Sequence, residues 1–86
     1  MTASYSILIK RSAEKELRTV PKPDIQRIAE KIQALGADPR PKGCVKLAGL
    51  EGYRIRQGDW RVLYEIEDKK HEVSVYKIGH RREIYL

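Results

Sequence analysis

An α+β fold is the class this sequence predicts: an N-terminal strand, two helices, then a three-stranded antiparallel meander, with the helices packed on one face of the sheet. Three observations predict it. Side chains alternate between apolar and polar near the N-terminus, apolar residues then recur at three- and four-residue steps, and alternation returns in three runs divided by turn-forming residues. Strand, helices and strands in that order segregate the helices to one side of an antiparallel sheet and leave the other side free.

Over Ser4 to Lys10, the residues Tyr5, Ile7 and Ile9 fall on one side and Ser6, Leu8 and Lys10 on the other, which is strand periodicity. Ser12 is the expected N-cap of a short helix through Ala13, Glu14, Lys15, Glu16 and Leu17. That helix must stop before Pro21, because a proline disfavours helical conformation in the residue ahead of it. A second helix begins at Pro23, where Ile25, Ile28, Ala29, Ile32 and Leu35 form one apolar stripe, and Gly36 is expected to close it as a left-handed cap. Pro39, Pro41 and Gly43 mark Ala37 to Gly43 as a loop. Tyr53, Ile55 and Gln57 then alternate with Arg54 and Arg56. After Gly58 and Asp59, the residues Trp60, Val62, Tyr64 and Ile66 alternate with Arg61, Leu63 and Glu65, so the pair reads as a hairpin with a two-residue Gly-Asp turn. A second turn at Asp68 to Lys70 returns the chain through Val73, Val75 and Ile78.

The 86 residues leave room for one domain and one core, since a chain this short buries only about 60 to 65% of its unfolded surface. Cys44 is the single cysteine, so no internal disulfide forms, and no His/Cys spacing completes a zinc site. No metal or other cofactor is expected, and the compartment is expected to be the reducing cytoplasm. No apolar run approaches the roughly 20 residues that span a bilayer, and the start, MTASYSILIK, lacks a signal-peptide layout, so no membrane partner is expected. The net charge of +6 and a pI near 9.6 favour a polyanionic partner without identifying it.

Register sharpens the charge into a surface. A two-residue turn sets Gln57 opposite Trp60, Arg56 opposite Arg61, Ile55 opposite Val62 and Arg54 opposite Leu63. Arg54, Arg56 and Arg61 then share one face, while Tyr53, Ile55, Val62, Tyr64 and Ile66 take the buried one. By the same parity Trp60 and Tyr64 belong to the core. Like charges directly opposed destabilise a strand pair by several tenths of a kcal/mol, which an anion held between them would offset. The plainer reading is a solvated face partly neutralised by Glu51 and Glu65. A second basic cluster, Lys77, His80, Arg81 and Arg82, ends the last strand, and Lys42 and Lys46 precede the hairpin; together they could line a phosphate-binding groove. His71 reads as surface and Cys44 as inert.

The runs GYRIRQGDWRVLYEI and VYKIGHRREIY, preceded by KRSAEKELRTVPKPDIQRI and DPRPKGCVKLAG, resemble the RelE/ParE superfamily of toxin-antitoxin toxins over nearly the whole chain. The resemblance, taken on the RelE branch, implies a metal-independent endoribonuclease that cuts mRNA in the ribosomal A site and leaves a cyclic phosphate. Its implied partners are the 70S ribosome with mRNA and rRNA contacts, and a RelB-like antitoxin. Arg54, Arg56, Arg61, Arg81 and Tyr85 occupy the family's catalytic places. Preorganised cations suit a transition state that gathers charge on phosphoryl oxygens, but arginine is a poor proton acceptor. Family members often carry lysine where Arg54 and Arg56 stand. Tyr85 is therefore the first candidate for the base and His80 the second, with Arg81 binding the phosphate and supporting the leaving oxygen. The ParE branch, which inhibits DNA gyrase, and a non-catalytic nucleic-acid-binding module are the competing readings. Arg81 with Tyr85 downstream favours RNA cleavage.

Overall fold

The computed structural model describes residues 4–47 and 52–84, so Glu51 and Tyr85 lie outside the described residues. Strand β1 (Ser6–Ile9) leads into helices α1 (Arg11–Arg18) and α2 (Lys22–Ala34); β2 (Val45–Lys46), β3 (Gly52–Gln57), β4 (Trp60–Glu67) and β5 (Glu72–His80) follow, and α3 (Arg81–Ile84) closes the described chain. The sheet has the order β1-β5-β4-β3-β2. The meander β3-β4-β5 forms as the alternation predicts, and the hairpin register agrees pair by pair.

Several elements depart from the expectations. The sheet is mixed and not wholly antiparallel, because β1 pairs with β5 in parallel, Ser6 beside Glu72 through Ile9 beside Val75. Two helices intervene between β1 and the rest of the sheet, and a connection of that length frees an edge strand from hairpin geometry. The two-residue strand β2 adds a fifth member at the other edge, through Val45 with Arg54 and Lys46 with Tyr53. Ser12 does not cap α1: the chain leaves β1 extended at Lys10, whose carbonyl already accepts the Glu14 N–H at 2.9 Å, so the helix starts ahead of Ser12. Helix α2 starts at Lys22, with Pro23 in its first turn. Gly36 is not left-handed; among the described glycines only Gly43 and Gly58 have positive φ. Gly36 is instead a point of close approach, where an added Cβ would stand 3.1 Å from the Tyr5 carbonyl oxygen, while the Gly36 carbonyl accepts the Tyr5 N–H at 2.8 Å.

The core lies between the helices and one face of the sheet. Ala13, Ile28, Ile32 and Leu35 meet Ile55, Val62, Tyr64, Val73, Val75 and Ile78, all within a few percent of complete burial. Each large aliphatic chain contributes about 1.5–3 kcal/mol by leaving water. The inward set of β5 keeps its face only because of a bulge: Tyr64 pairs with Val75 but Leu63 pairs with Lys77, so Tyr76 is an extra residue that restores Ile78 to the core side. Beyond the β1 pairing, the α1 side chain of Glu16 accepts the Ile78 N–H at 3.0 Å, which satisfies part of the edge that β1 leaves open. Among the described residues no helix is long and apolar enough to cross a membrane.

Two contacts fix the loop that runs from α2 to β2. The Tyr64 hydroxyl, fully buried, donates to the Pro39 carbonyl at 2.8 Å. On the surface, Arg40 donates through both terminal nitrogens to the Asp68 carboxylate at 3.2 and 2.8 Å and through Nε to the Tyr53 hydroxyl at 3.2 Å. The Tyr5 hydroxyl donates to the same carboxylate at 2.6 Å. The Arg40 guanidinium, then the Tyr5 hydroxyl, hold the Asp68 carboxyl down at about 2, and the Asp68 hydrogen bond in turn raises the Tyr5 phenol.

Tyr64→Phe leaves the Pro39 carbonyl without its donor, so urea unfolding at neutral pH is expected to show a loss of about 1–3 kcal/mol with an unchanged m-value. Asp68 has a folded pKa of about 2 against an ordinary value of 3.8, so its contribution is complete above pH 4 and disappears as pH falls from about 4 to 2. Melting temperatures measured across that range are expected to fall less steeply for Asp68→Asn than for the unaltered protein.

Candidate nucleic-acid interface

Gly58 has φ 60° and Asp59 does not share the positive sign, the pattern of a two-residue turn with glycine at its first central position. This turn aligns Arg56 directly with Arg61 and Arg54 with Leu63, and β5 extends the two rows with Gly79 and Lys77. Arg54, Arg56, Arg61 and Lys77 thus share the sheet face away from α1 and α2. Lys77 also reaches Glu16 at the strand edge, at 3.6 Å.

That face is not uniformly open. Arg61 is only 8% exposed, and its guanidinium donates to the carbonyls of Gly58 at 2.9 Å and Trp60 at 3.1 Å. The expectation that the hairpin exposes all three arginines therefore fails at Arg61, while Arg56 is exposed and Arg54 half-buried. The physical reason is α3. After His80 the chain turns back, and the Ile84 side chain lies 3.5 Å from the position a Cβ on Gly79 would take, in the row of Arg61. Gly79 admits this close approach, and a glycine inside a strand pattern was the available sequence signal for it.

The same reversal brings Arg81 to the hairpin tip. Its N–H donates to the Asp59 carbonyl at 2.8 Å, and its Nε stands 3.6 Å from the Asp59 carboxylate. Tyr85 comes next after α3 and lies outside the described residues. His80 follows the other face: it pairs with Trp60, their rings meet edge-on at 5.4 Å, and its Nδ1 accepts the Arg82 N–H at 3.2 Å. Arg82 itself is exposed. Lys46 pairs with Tyr53 and sets its ammonium 5.2 Å from that ring's centre, whereas Lys42 reaches the cavity beside Arg56. The structure thus gathers Arg54, Arg56, Arg61 and Arg81 around the hairpin and separates His80 and Lys46 from them. Among the described residues no three His, Cys, Asp or Glu side chains cluster as a metal-ligand set.

A concave basic surface with one buried, braced arginine can orient a phosphate and neutralise charge that develops on it. Known proteins carry the same framework. The sequence profile of the ParE toxin of type II toxin-antitoxin system, parDE, matches residues 7–85. The toxin RelE of Mycobacterium tuberculosis is 36% identical over 72 residues, which are 72% of this chain and 74% of the relative. The archaeal RelE-RelB complex from Pyrococcus horikoshii OT3 contains a chain that superposes with a TM-score of 0.83 at 29% identity, over 93% of this chain and 98% of that one. The isolated E. coli RelE toxin gives 0.79 at 26% identity, over 95% and 92%. With its fold and nearly its whole sequence matched in this way, the chain belongs to the ParE toxin family of type II toxin-antitoxin systems and is a RelE-type toxin.

Proposed function

We propose that residues 1–86 act as one RelE-like domain in the cytoplasm, a ribosome-dependent, metal-independent endoribonuclease that cuts mRNA in the ribosomal A site. The observation that carries this reading is the direct opposition of Arg56 and Arg61 on a face over which α3 folds, with Arg81 at the tip of the same hairpin. A charge-repelling pair beside a third arginine suits a phosphodiester whose equatorial oxygens gain negative charge. In the reaction, the ribose 2′-oxygen forms a bond to the adjacent phosphorus while the bond from phosphorus to the 5′-oxygen breaks. The products are a cyclic phosphate and a 5′-hydroxyl. One proton leaves the 2′-hydroxyl for a base and another reaches the 5′-oxygen.

Tyr85 is the first candidate for that base because it directly follows the segment that turns onto the arginine face. His80 is the weaker candidate, since its ring stands with Trp60 on the other face. Arg54, Arg56 and Arg61 bind the scissile phosphate and Arg81 supports the leaving oxygen. Lys42, Lys77 and Arg82 add contacts to RNA or rRNA, and Lys46 does so from the Tyr53 side. A RelB-like antitoxin is the protein partner, a reading supported by the RelE-RelB complex from Pyrococcus horikoshii.

Primer extension on an mRNA under translation in a reconstituted system tests this proposal. Cuts that appear only during translation are expected, with Arg81→Ala, at a 54% exposed side chain, and Tyr85→Phe each slowing them by about a hundredfold while the melting temperature stays put. Intact mRNA together with altered plasmid supercoiling would refute the nuclease reading and favour the gyrase one.

A further inference from the structure

The open end of β3 carries a cleft that the arginine face does not account for. Strand β2 pairs with Tyr53 and Arg54 only, and among the described residues no strand continues on that side of β3 beside Ile55, Arg56 and Gln57, whose other side is held by β4. A cavity of about 490 Å³ occupies this edge, between Lys31 and Ala34 of α2, Lys42 and Gly43 of the loop, and Arg56 and Gln57 of the hairpin. It continues into a second cavity of about 330 Å³ along α2, which shares Lys31, Ala34 and Gln57 and adds Arg27 and Glu30. On its other side, Gly43 and Arg56 also line a hollow of about 190 Å³ that contains Arg54. Arg56 therefore stands between the arginine face and the cleft.

The charges in this cleft are unbalanced. Arg27, Lys31, Lys42 and Arg56 face one carboxylate, Glu30, and none of the four cations makes an ion pair with a described residue. Lys31 lies in the last turn of α2, where the helix dipole favours a cation, but that accounts for one charge of the four. Like charges around a concave wall attract an anion from solution. Part of the lining is apolar, from Ala34, Pro41 and the nearly buried Ile55, and the Gln57 amide makes no hydrogen bond with a described residue. Gly43 and Gly58 flank the mouth, and a Cβ on either would meet nothing within 4 Å, so the backbone there stands open to a ligand. Cations spaced singly along a groove, an apolar wall and one unused amide match the repeating phosphate and base of a single-stranded nucleic acid. An acidic peptide would use the cations but has less need of a flat wall or an amide.

We infer that the cleft is a second nucleotide subsite: single-stranded RNA leaving the arginine face crosses the β3 edge at Arg56 and places its next phosphate among Lys31, Lys42 and Arg56. The attached base lies against Ile55 and Ala34, within reach of Gln57. This rests on RNA being the ligand of the arginine face.

Fluorescence anisotropy on the full chain, with 2′-O-methylated RNA that cannot be cleaved, tests it at two lengths, three and eight nucleotides. The longer strand is expected to bind more tightly than the shorter. Lys31→Glu lowers its affinity by about tenfold and its log-log salt slope by about one, and leaves the trinucleotide unchanged. Lys31→Ala, a milder change at an exposed side chain, moves the same way by a smaller factor, and equal melting curves exclude a folding defect. If both Lys31 variants bind the longer strand as the unaltered protein does while Arg56→Ala loses it, the arginine face stands and the subsite is wrong. If neither RNA binds but a glutamate-rich peptide does, and Lys31→Glu abolishes that binding, the cleft is a protein-docking site and the inference is overturned. Translation-dependent cleavage, read separately, reports on the arginine face alone.

Discussion

With Gly58 at φ 60° and only Asp59 beside it, the chain reverses within two residues, and Gln57 is brought against Trp60. Side chains on a strand alternate strictly, so this one pairing assigns every residue of β3 and β4 to a face. Ile55, Val62 and Tyr64 go under the helices; Arg54, Arg56 and Arg61 go to the other side. A slip by one residue would turn one strand over against the other and place either Arg54 and Arg56 or Arg61 in the core, where an unpaired charge costs several kcal/mol after relaxation. The hydrophobic core and the basic surface are therefore two results of one alignment, each of which excludes the register that would spoil the other.

The two opposed arginines are held in different ways. Arg61 is buried and gives two hydrogen bonds to carbonyls of its own turn, whereas Arg56 is exposed at the edge of the sheet. One is preorganised and the other adaptable. A phosphate entering between them would meet one cation already desolvated and fixed, and a second free to close on it. Helix α3 strengthens the contrast, because its return over Gly79 removes water from the Arg61 row and leaves the Arg56 edge open. Loop placement follows a similar logic: Tyr64 and Asp68 each tie down the segment before β2, from inside and from outside, and so fix where Lys42 stands.

The hairpin was legible because its determinants are local: a glycine with its neighbour, and a period of two on either side. Helix α2 was legible for the same reason, through Ile25, Ile28, Ile32 and Leu35. What escaped depends on residues far apart in sequence. Val45 and Lys46 are too few to show a period, and the parallel pairing of β1 with β5 joins residues more than sixty positions apart. Gly36 looked like a helix cap, but its requirement comes from Tyr5, on a different element. Arginine parity follows from local alternation, yet Arg61's burial depends on α3 returning across the sheet. Lys31 and Gln57 belong to unremarkable stretches of sequence, and only the short reach of β2 opens the edge that brings them together.

The bulge at Tyr76 carries a consequence for how such a chain can vary. Strand β5 serves β1 along one side and β4 along the other, and Val73, Val75 and Ile78 share a face only because one extra residue lies between the last two. Charges on its outer surface can drift one at a time with little effect on the fold. Its length is less free: pairing the present length without the bulge would turn Lys77 inward and Ile78 outward, whereas loss of Tyr76 alone would leave Val75 and Ile78 inward in a regular ladder. Strand β5 can therefore shorten by one residue at the bulge without turning its faces over, while a change of length elsewhere in the strand has to be absorbed there.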